Sequence, residues 1–462
     1  GAIHGSAHKL VLEFAGAGTT RIIIDPDTRA IYVGTTAASS GVGSGCTNYY
    51  VDPDVRGLFR STDGGATWVR LVAEGIRDFE IDLTASPREI FYSVAGGGAF
   101  HLVEGGVPEA LALPNPKSTP AGRDIELAIA PSDPRVLYAG LSVGGDTARI
   151  FASTDHGRTF REIQNSPNYC YSQCYFTNVL TVHPTDPETL FIGGGLCSVW
   201  RGTRMLTAPA FRAIALPGGS CGTNFANWYR HYVHPDAHAL VVVTGTPELL
   251  YAATDGGLVK TDNGGTSWTA LNEGVGAVQF YGLCADPKDP AHLYGGAQDN
   301  GSFETTGDGR RWAGIITGDG GPCVAAAESA AGGDPHPVLS NDQAMIYLGG
   351  TAAPGGYDLV FATTDCNNAM AGCGDRAAFI APVTGDPKNP ANVYVGTYRL
   401  WRSDDGGARG SWTAVSDDRS FGKGGVKCVG GGTDDVLATP VLGQAPPDIG
   451  AGSCSSDRRG QK

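Results

Sequence analysis

The amino-acid sequence predicts an all-β fold made of repeated four-stranded sheets. Three observations support this: 69 glycines and 28 prolines stand among 462 residues, an Asp-Gly turn motif occurs five times, and an aromatic residue recurs about every 52 residues. Such frequent turn residues leave little room for long helices. Short apolar runs between regular turns are typical of radial β arrays, and a repeat near fifty residues matches one four-stranded blade.

The turn motif is complete in STDGGATW (Ser61 to Trp68) and STDHGRTF (Ser153 to Phe160). Its variants are TDNGGTSW (Thr261 to Trp268), TGDGRRW (Thr306 to Trp312) and SDDGGARGSW (Ser403 to Trp412). An Asp ahead of glycines in a tight hairpin usually accepts hydrogen bonds from its own backbone, and the closing aromatic can pack between sheets. We therefore predict structural roles for Asp63, Trp68, Asp155, Phe160, Asp262, Trp268, Asp308, Trp312, Asp405 and Trp412.

A second pattern places an Asp-Pro turn before an apolar run that carries an aromatic anchor, as in PSDPRVLYAG (Pro131 to Gly140). In each unit we assign the anchor to the second strand and the Asp-Gly motif to the hairpin between the third and fourth strands. The eight anchors predict eight units, or seven if one weak unit is an insertion: Tyr32, Tyr92, Tyr138, Phe191, Tyr251, Tyr294, Tyr347 and Tyr394. The segment KLVLEF (Lys9 to Phe14) is predicted to pair with the last sheet and close the ring.

The Asp-Gly motif resembles the Asp box, or BNR repeat, S/T-x-D-x-G-x-T-W/F. This resemblance implies a β-propeller of the kind found in sialidases, xyloglucan-degrading hydrolases, sortilin-type receptors and many secreted bacterial propellers. The predicted architecture is therefore a single propeller over residues 1–443, followed by a Pro-, Gly- and Ser-rich tail over 444–462. An Asp box indicates a fold much more specifically than a function.

Composition excludes several classes of partner. The formal net charge of −14 argues against nucleic acid or an anionic membrane surface, because either would need a basic face. No apolar run approaches the roughly 20 residues that a membrane helix requires. We therefore expect a secreted, periplasmic or cell-surface bacterial protein that is not embedded in a membrane.

The eleven cysteines favour disulfides in an oxidising compartment over buried thiols or a metal site, since no CxxC pair is present. An odd number leaves at least one thiol free or paired outside the chain. The predicted pairs are Cys170 with Cys174, Cys366 with Cys373 and, in the tail, Cys428 with Cys454.

Polar residues suited to a binding site fall on one predicted face. In a propeller, the Asp boxes and Asp-Pro turns share the bottom face, whereas the second-to-third loops and the connections between blades lie on top. The order HxDxHAL, DGG, QDNG and GDGG resembles secreted BNR/sortilin-like bacterial propellers, many of which are called glycosyl hydrolases by loose similarity. The candidate binding residues on the top face are His234, Asp236, His238, Asp255, Gln298, Asp299, Asn300 and Asp319.

Three interpretations of these carboxylates stay open at this point. They could cap turns, as Asp beside Gly commonly does. They could bind a structural Ca²⁺ ion through Asp255, Asp299, Asn300 and Asp319. Alternatively, Asp299 and Asp319 could form the acid/base pair of a glycosidase, which needs two carboxyls with separated pKa values. His234 and His238 could add a transition-metal site with Asp236, although such histidines more often brace loops.

The leading functional prediction is a non-catalytic binding or scaffold protein for a protein or extracellular glycan, with no required cofactor. It could form part of a larger surface assembly. The alternative prediction is a glycoside hydrolase that uses the same top face. A sialidase is disfavoured because RIII (Arg21 to Ile24) lacks the Arg-Ile-Pro motif, and a long glycan cleft is disfavoured because only Trp200, Trp228 and Trp401 stand outside the Asp boxes.

Overall fold

The computed structural model describes residues 17–37, 55–94, 97–113, 125–142, 148–170, 173–174, 176–195, 198–215, 233–276, 278–305, 311–331, 336–350, 356–366, 368 and 370–416. Within these ranges the regular elements are 32 β-strands and one 3₁₀ turn, Asp342–Ala344. No helix in these ranges has the length and hydropathy needed to span a membrane. The predicted ring-closing segment, residues 9–14, and the predicted boundary between propeller and tail at 443/444 lie outside the described residues.

The strands form eight four-stranded sheets, and in every sheet the strands pair in chain order. All pairings are antiparallel, which makes each sheet a simple meander. This confirms the predicted all-β class and supports eight blades over seven. The chain divides into two compact units, one holding the described residues up to 276 and the other those from 278 onward.

The first unit contains five sheets. Their strands are β1 Ala17–Ile24, β2 Ile31–Ala37, β3 Gly57–Ser61 and β4 Val69–Val72; β5 Ile76–Asp82, β6 Glu89–Val94, β7 Ala99–Val103 and β8 Glu109–Ala110; β9 Ile125–Ile129, β10 Leu137–Ser142, β11 Ala148–Ser153 and β12 Arg161–Glu162; β13 Val179–His183, β14 Asp186–Gly193, β15 Val199–Thr203 and β16 Ala210–Ala213; and β17 Ala237–Val243, β18 Leu249–Thr254, β19 Gly257–Thr261 and β20 Thr269–Ala270.

The second unit contains three sheets. Their strands are β21 Phe280–Ala285, β22 Leu293–Ala297, β23 Gly301–Thr305 and β24 Trp312–Ile316; β25 Gly320–Ala327, β26 His336–Asn341, β27 Met345–Gly349 and β28 Tyr357–Phe361; and β29 Val383–Asp386, β30 Asn389–Gly396, β31 Leu400–Ser403 and β32 Trp412–Ala414.

Within each unit the first strand of a sheet lies beside the first strand of the next sheet, as in successive propeller blades. The core therefore lies between neighbouring sheets. One apolar cluster, for example, joins Tyr138 and Ile150 of the third sheet to Leu180 and Ile192 of the fourth. The anchors on the second strands of the first four sheets, Tyr32, Tyr92, Tyr138 and Phe191, are at most 2% exposed.

The seventh sheet differs from the sequence prediction. Its anchor Tyr347 lies on β27, the third strand, and not on the second strand as predicted. The cause is β26, whose apolar content is limited to Val338 and Leu339, with Gly-Asp-Pro before it in the sequence and Asn-Asp at its end. The sequence pattern around this strand therefore predicts a loop.

The described residues include three disulfides. Cys170–Cys174 and Cys366–Cys373 confirm the two predicted local pairs. The third, Cys284–Cys323, was not predicted; it links β21 to β25, the first strands of the sixth and seventh sheets, across a sequence separation of 39 residues. The predicted partners Cys428 and Cys454 lie outside the described residues.

Candidate functional site

The two complete Asp-box hairpins are closed by hydrogen bonds within the hairpin. In the first, Asp63 Oδ1 accepts the Thr67 N–H at 2.9 Å and Oδ2 accepts the Thr67 hydroxyl at 2.6 Å. The Ser61 hydroxyl donates to Asp63 Oδ1 at 2.8 Å. The hydrogen bond from the Thr67 hydroxyl is the main cause that lowers the pKa of Asp63 to about 2. Asp155 makes the same contacts with Thr159 and Ser153, and its pKa is also lowered to about 2.

Two variants depart from the sequence prediction. In TDNGGTSW the box position belongs to Asn263 and not to Asp262: Asn263 Oδ1 accepts the Thr261 hydroxyl at 2.9 Å and the Ser267 N–H at 3.0 Å. The reason is spacing, because Asn263 follows Thr261 by two residues, as Asp63 follows Ser61.

Asp405 has the correct spacing but a different set of partners. It accepts the Ser329 hydroxyl at 2.6 Å and the Ala330 N–H at 2.7 Å, and both donors lie in the loop between β25 and β26. Asp405 therefore braces its neighbouring sheet. The variant that contains Asp308 lies outside the described residues.

The closing aromatics of the boxes contact apolar clusters between sheets. Phe160 packs against the cluster shared by the second and third sheets, and Trp268 against that of the fourth and fifth. The Trp268 indole N–H also donates to the Ile214 carbonyl at 2.8 Å. Trp412 is 7% exposed in the cluster of the seventh and eighth sheets. Trp68 is half-buried, and the Trp312 ring centroid lies 5.3 Å from that of Phe280.

Half of the predicted binding residues lie in the first unit, where the fifth sheet brings His238 and Asp255 together. His238 Nε2 lies 2.6 Å from Asp255 Oδ1, and the exposed Phe176 ring meets the imidazole edge-on at 4.8 Å between centroids. Asp236 adopts a left-handed conformation, with φ 59°, just before β17 begins at Ala237. The structure therefore gathers Phe176, His238 and Asp255 into one surface cluster.

His234 does not lie on the same strand as His238. It lies ahead of β17, and its Nδ1 is 3.0 Å from the Pro235 carbonyl oxygen. The transition-metal site suggested for these two histidines with Asp236 gains no support among the described residues.

The glycines of the DGG stretch are required by close packing. A Cβ added at Gly256 would lie 2.5 Å from His234 Cβ, and one at Gly257, where φ is 105°, would lie 2.2 Å from Asn272 Oδ1. The glycines of GDGG behave similarly, since a Cβ at Gly320 would lie 2.3 Å from the Gly301 carbonyl oxygen. At these places glycine allows neighbouring segments to approach, so its presence does not by itself indicate a ligand.

The other half of the predicted residues lies in the second unit, where QDNG joins β22 to β23. The Asp299 N–H donates to Asp319 Oδ1 at 2.8 Å, and the Asn300 amide donates to the Gln298 carbonyl at 2.8 Å. The Tyr281 hydroxyl donates to Gln298 Oε1 at 2.7 Å. Burial, followed by the charges of Asp319 and Asp299, raises the pKa of Tyr281.

Asp342 adds a carboxyl that the sequence interpretation missed. It lies in the turn between β26 and β27, and its N–H donates to the Asp319 carbonyl at 2.9 Å. Burial, followed by the charge of Asp319, raises the pKa of Asp342. Assigning Tyr347 to the third strand would have placed Asp342 in a second-to-third loop, equivalent to the loops of Asp255 and Asp299.

The calcium prediction gains no support. Among the described residues, no group of three or more His, Cys, Asp or Glu side chains is placed to hold a metal ion. Asp255 belongs to the first unit, whereas Asp299, Asn300 and Asp319 belong to the second. Asp319 Oδ1 instead accepts the Asp299 N–H, as expected if this carboxylate caps a turn.

A charged cluster on the first strands of the first unit was also missed. Arg21 Nη1 lies 2.7 Å from Asp78 Oδ1, its Nη2 lies 2.5 Å from Glu80 Oε1, and Glu126 is 4.0 Å away. Arg21 and Glu80 line a cavity of about 450 Å³. Local sequence patterns could not have revealed this cluster, because its members come from three different sheets.

Comparisons with known proteins give no family assignment. No protein-family model matches the chain, and no curated protein matches it significantly. Similar solved structures include a GH74 enzyme of Niastella koreensis (13% identity, 88% of this chain, 67% of that chain, TM-score 0.38) and the GH74 xyloglucanase of Xanthomonas campestris (14%, 88%, 58%, 0.32). YCF48 bound to D1 peptide is also similar (12%, 70%, 90%, 0.36). The chain thus spans only 58% of the Xanthomonas enzyme, and likenesses at this level assign no activity.

Proposed function

We propose that this chain is a non-catalytic binding or scaffold protein, secreted or displayed at the cell surface, for protein or glycan partners. The observation that carries the proposal is the state of two of the predicted binding carboxylates, one of which, Asp319, also belongs to the predicted acid/base pair. Asp255 is hydrogen-bonded to His238, and Asp319 accepts the Asp299 N–H. A carboxylate held by its own chain orders a loop, whereas a general acid or base must reach the substrate. The disulfides are compatible with an extracellular location.

The cluster of Phe176, His238 and Asp255 is the surface we assign to binding in the first unit. Phe176 is 56% exposed, and the Cys170–Cys174 disulfide crosslinks the chain just before it. The Phe176 N–H also donates to the Gln173 carbonyl at 2.8 Å. An exposed aromatic ring on a constrained segment loses little conformational freedom on binding, which is a common property of energetically dominant contact residues.

A glycan panel tests this proposal. We expect affinity electrophoresis to show retardation by at least one cell-wall polysaccharide, with no release of reducing ends. Phe176→Ala should weaken that binding about tenfold, since dominant interface residues contribute more than about 1 kcal/mol. Val107→Ala is the matched control, because Val107 is 82% exposed in the loop between β7 and β8, away from the cluster. Equal binding by Phe176→Ala and wild type would show that this cluster is not the binding surface. Steady release of reducing ends would contradict the non-catalytic role.

A glycoside hydrolase is the second candidate, favoured by one specific observation. Asp342 has a raised pKa beside Asp319, and a glycosidase requires one protonated and one ionised carboxyl. In this alternative, Asp342 is the general acid and Asp319 is its ionised partner. This pair takes the place of the predicted pair, Asp299 and Asp319. If the wild-type protein releases reducing ends, Asp342→Asn should abolish the release and leave polysaccharide retardation unchanged. Turnover that survives Asp342→Asn would exclude this pair.

A further inference from the structure

The cavity in the first unit is formed by the first strands of all five of its sheets. Arg21 and Ile23 come from β1, Glu80 from β5, Ala128 from β9, Leu180 from β13 and Leu240 from β17. Its volume of about 450 Å³ falls in the range of small-molecule sites, and apolar side chains form most of its wall. Pro131 and Thr84, which follow β9 and β5, also line it, so it lies toward the ends of the first strands. His238, by contrast, lies where β17 begins.

Arg21 and Glu80 of the cavity wall belong to a cluster in which carboxyl groups outnumber the cation. Both terminal nitrogens of Arg21 are engaged, one by Asp78 and the other by Glu80. Asp78 is buried and also accepts the Leu127 N–H at 2.8 Å. Among the described residues, Glu126 accepts no hydrogen bond and its one ion-pair contact is with Arg21 at 4.0 Å. Three carboxylates therefore surround one guanidinium.

We propose that this cavity binds an alkylammonium or alkylguanidinium group, with the apolar stem against Ile23, Leu180 and Leu240 and the cationic head beside Glu80. The ligand would be either a free amine or a lysine or arginine side chain of a peptide. A cation meets the Glu80 oxygen that Arg21 does not engage and offsets the excess of carboxylates. An anion would have to displace Asp78 or Glu80 from Arg21, which would leave a buried carboxylate without its partner.

The ionisation of the carboxylates gives the binding a pH dependence. Burial raises the pKa of Glu80 to about 7, and burial also raises that of Glu126. The other charged groups that act on these two are Arg21, Asp78 and Arg77. Asp82 of β5 also lines the cavity, and its Oδ1 accepts the N–H and the hydroxyl of Thr84. The wall residues of β13 and β17, Leu180, Thr181, Val182 and Leu240, carry no charge. Binding of a cation should therefore tighten as pH rises from 6 to 8.

Calorimetry with three unbranched probes that differ in the charge of their head group tests the proposal on the full chain. We expect n-butylammonium to bind and to bind more tightly at pH 8 than at pH 6, whereas pentanoate and 1-pentanol bind at least about tenfold more weakly. A blocked Ala-Lys-Ala peptide separates the two sources: if it binds as tightly as butylammonium, the cavity admits a side chain presented by a backbone, and if it does not, the ligand is a free amine.

The variants follow from the charge argument. Glu80→Gln should raise the dissociation constant for butylammonium at least about tenfold. Glu126→Gln should raise it about threefold, because Glu126 contacts Arg21 and does not line the cavity. Glu109→Gln changes net charge equally on the exposed strand β8 and should have no effect. If Glu80→Gln does not fold, the affinity of Glu126→Gln for butylammonium decides whether the proposal holds. Absence of butylammonium binding, equal binding of pentanoate or pentanol, or unchanged affinity in the folded Glu variants would overturn the proposal.

Discussion

At the scale of single residues, the same Asp-Gly sequence serves two purposes. Asp63 is closed into its own hairpin by Ser61 and Thr67, whose positions two before and four after the Asp are visible in the sequence. The Asp319 carboxylate accepts the N–H of Asp299, twenty residues away in sequence. The role of the box residue could therefore be predicted from local spacing. The contacts of Asp319 could not, because they depend on which loops the fold brings together.

The buried serine of a complete box should contribute measurably to stability. Ser153 is 2% exposed, and its hydroxyl accepts the buried Gly157 N–H at 2.9 Å. Ser153→Ala would leave that N–H without its acceptor, so the free energy of unfolding should fall by about 1–3 kcal/mol. Urea denaturation measures the change. Thr154→Ala, at the exposed neighbouring position, is the control and should change stability by less than about 0.5 kcal/mol. Equal effects of the two substitutions would contradict this account of the box.

At the scale of strands, the sequence predicts most of the sheet order because turn chemistry marks each strand end. Asp-Pro turns separate first from second strands, and Asp boxes separate third from fourth, in the first sheet for example. Only the seventh sheet was assigned incorrectly, since the apolar content of β26 is limited to Val338 and Leu339. That single error also hid Asp342, which shows how a candidate site depends on strand assignment.

The disulfide between β21 and β25 should stabilise the second unit more than the local one does. Cys284–Cys323 closes a loop of 39 residues and Cys366–Cys373 one of 7. Loop entropy predicts losses of about 4 kcal/mol for Cys284→Ala with Cys323→Ala and about 2 kcal/mol for Cys366→Ala with Cys373→Ala. Denaturant titration of both double variants checks this ordering. A larger loss from the local pair would show that chain entropy does not govern these crosslinks.

At the scale of the whole molecule, the charged cluster is the feature most remote from the sequence. Arg21, Glu80 and Glu126 are separated by tens of residues and belong to three sheets. Each lies on a first strand, and these strands are neighbours in the first unit. Pattern analysis assigns such residues to strands but does not identify which of them face each other, because that requires the register between successive sheets.

This cluster should make stability fall as pH rises through neutrality. Burial raises the pKa of Glu80 from 4.5 to about 7, so between these values the folded chain holds a proton that the unfolded chain has released. Under proton linkage the free energy of unfolding then decreases with increasing pH over this window. Asp25 has the opposite effect on stability, because its pKa is lowered, chiefly by its hydrogen bond to Arg88, despite its burial. The stability that Asp25 contributes is lost only below about pH 4.

Urea titrations at several pH values between 5 and 8 would measure this dependence. We expect the free energy of unfolding of the wild type to fall steadily across the range, and that of Glu80→Gln to fall much less, because glutamine cannot ionise. Glu109→Gln again controls for the loss of one negative charge, since its slope should match the wild type. Part of any slope comes from the general repulsion within a chain of net charge −14, and this part is common to all three proteins. The difference between the Glu80→Gln and Glu109→Gln slopes therefore isolates the buried carboxyl, and identical slopes would mean that Glu80 is ionised in the folded protein throughout this range.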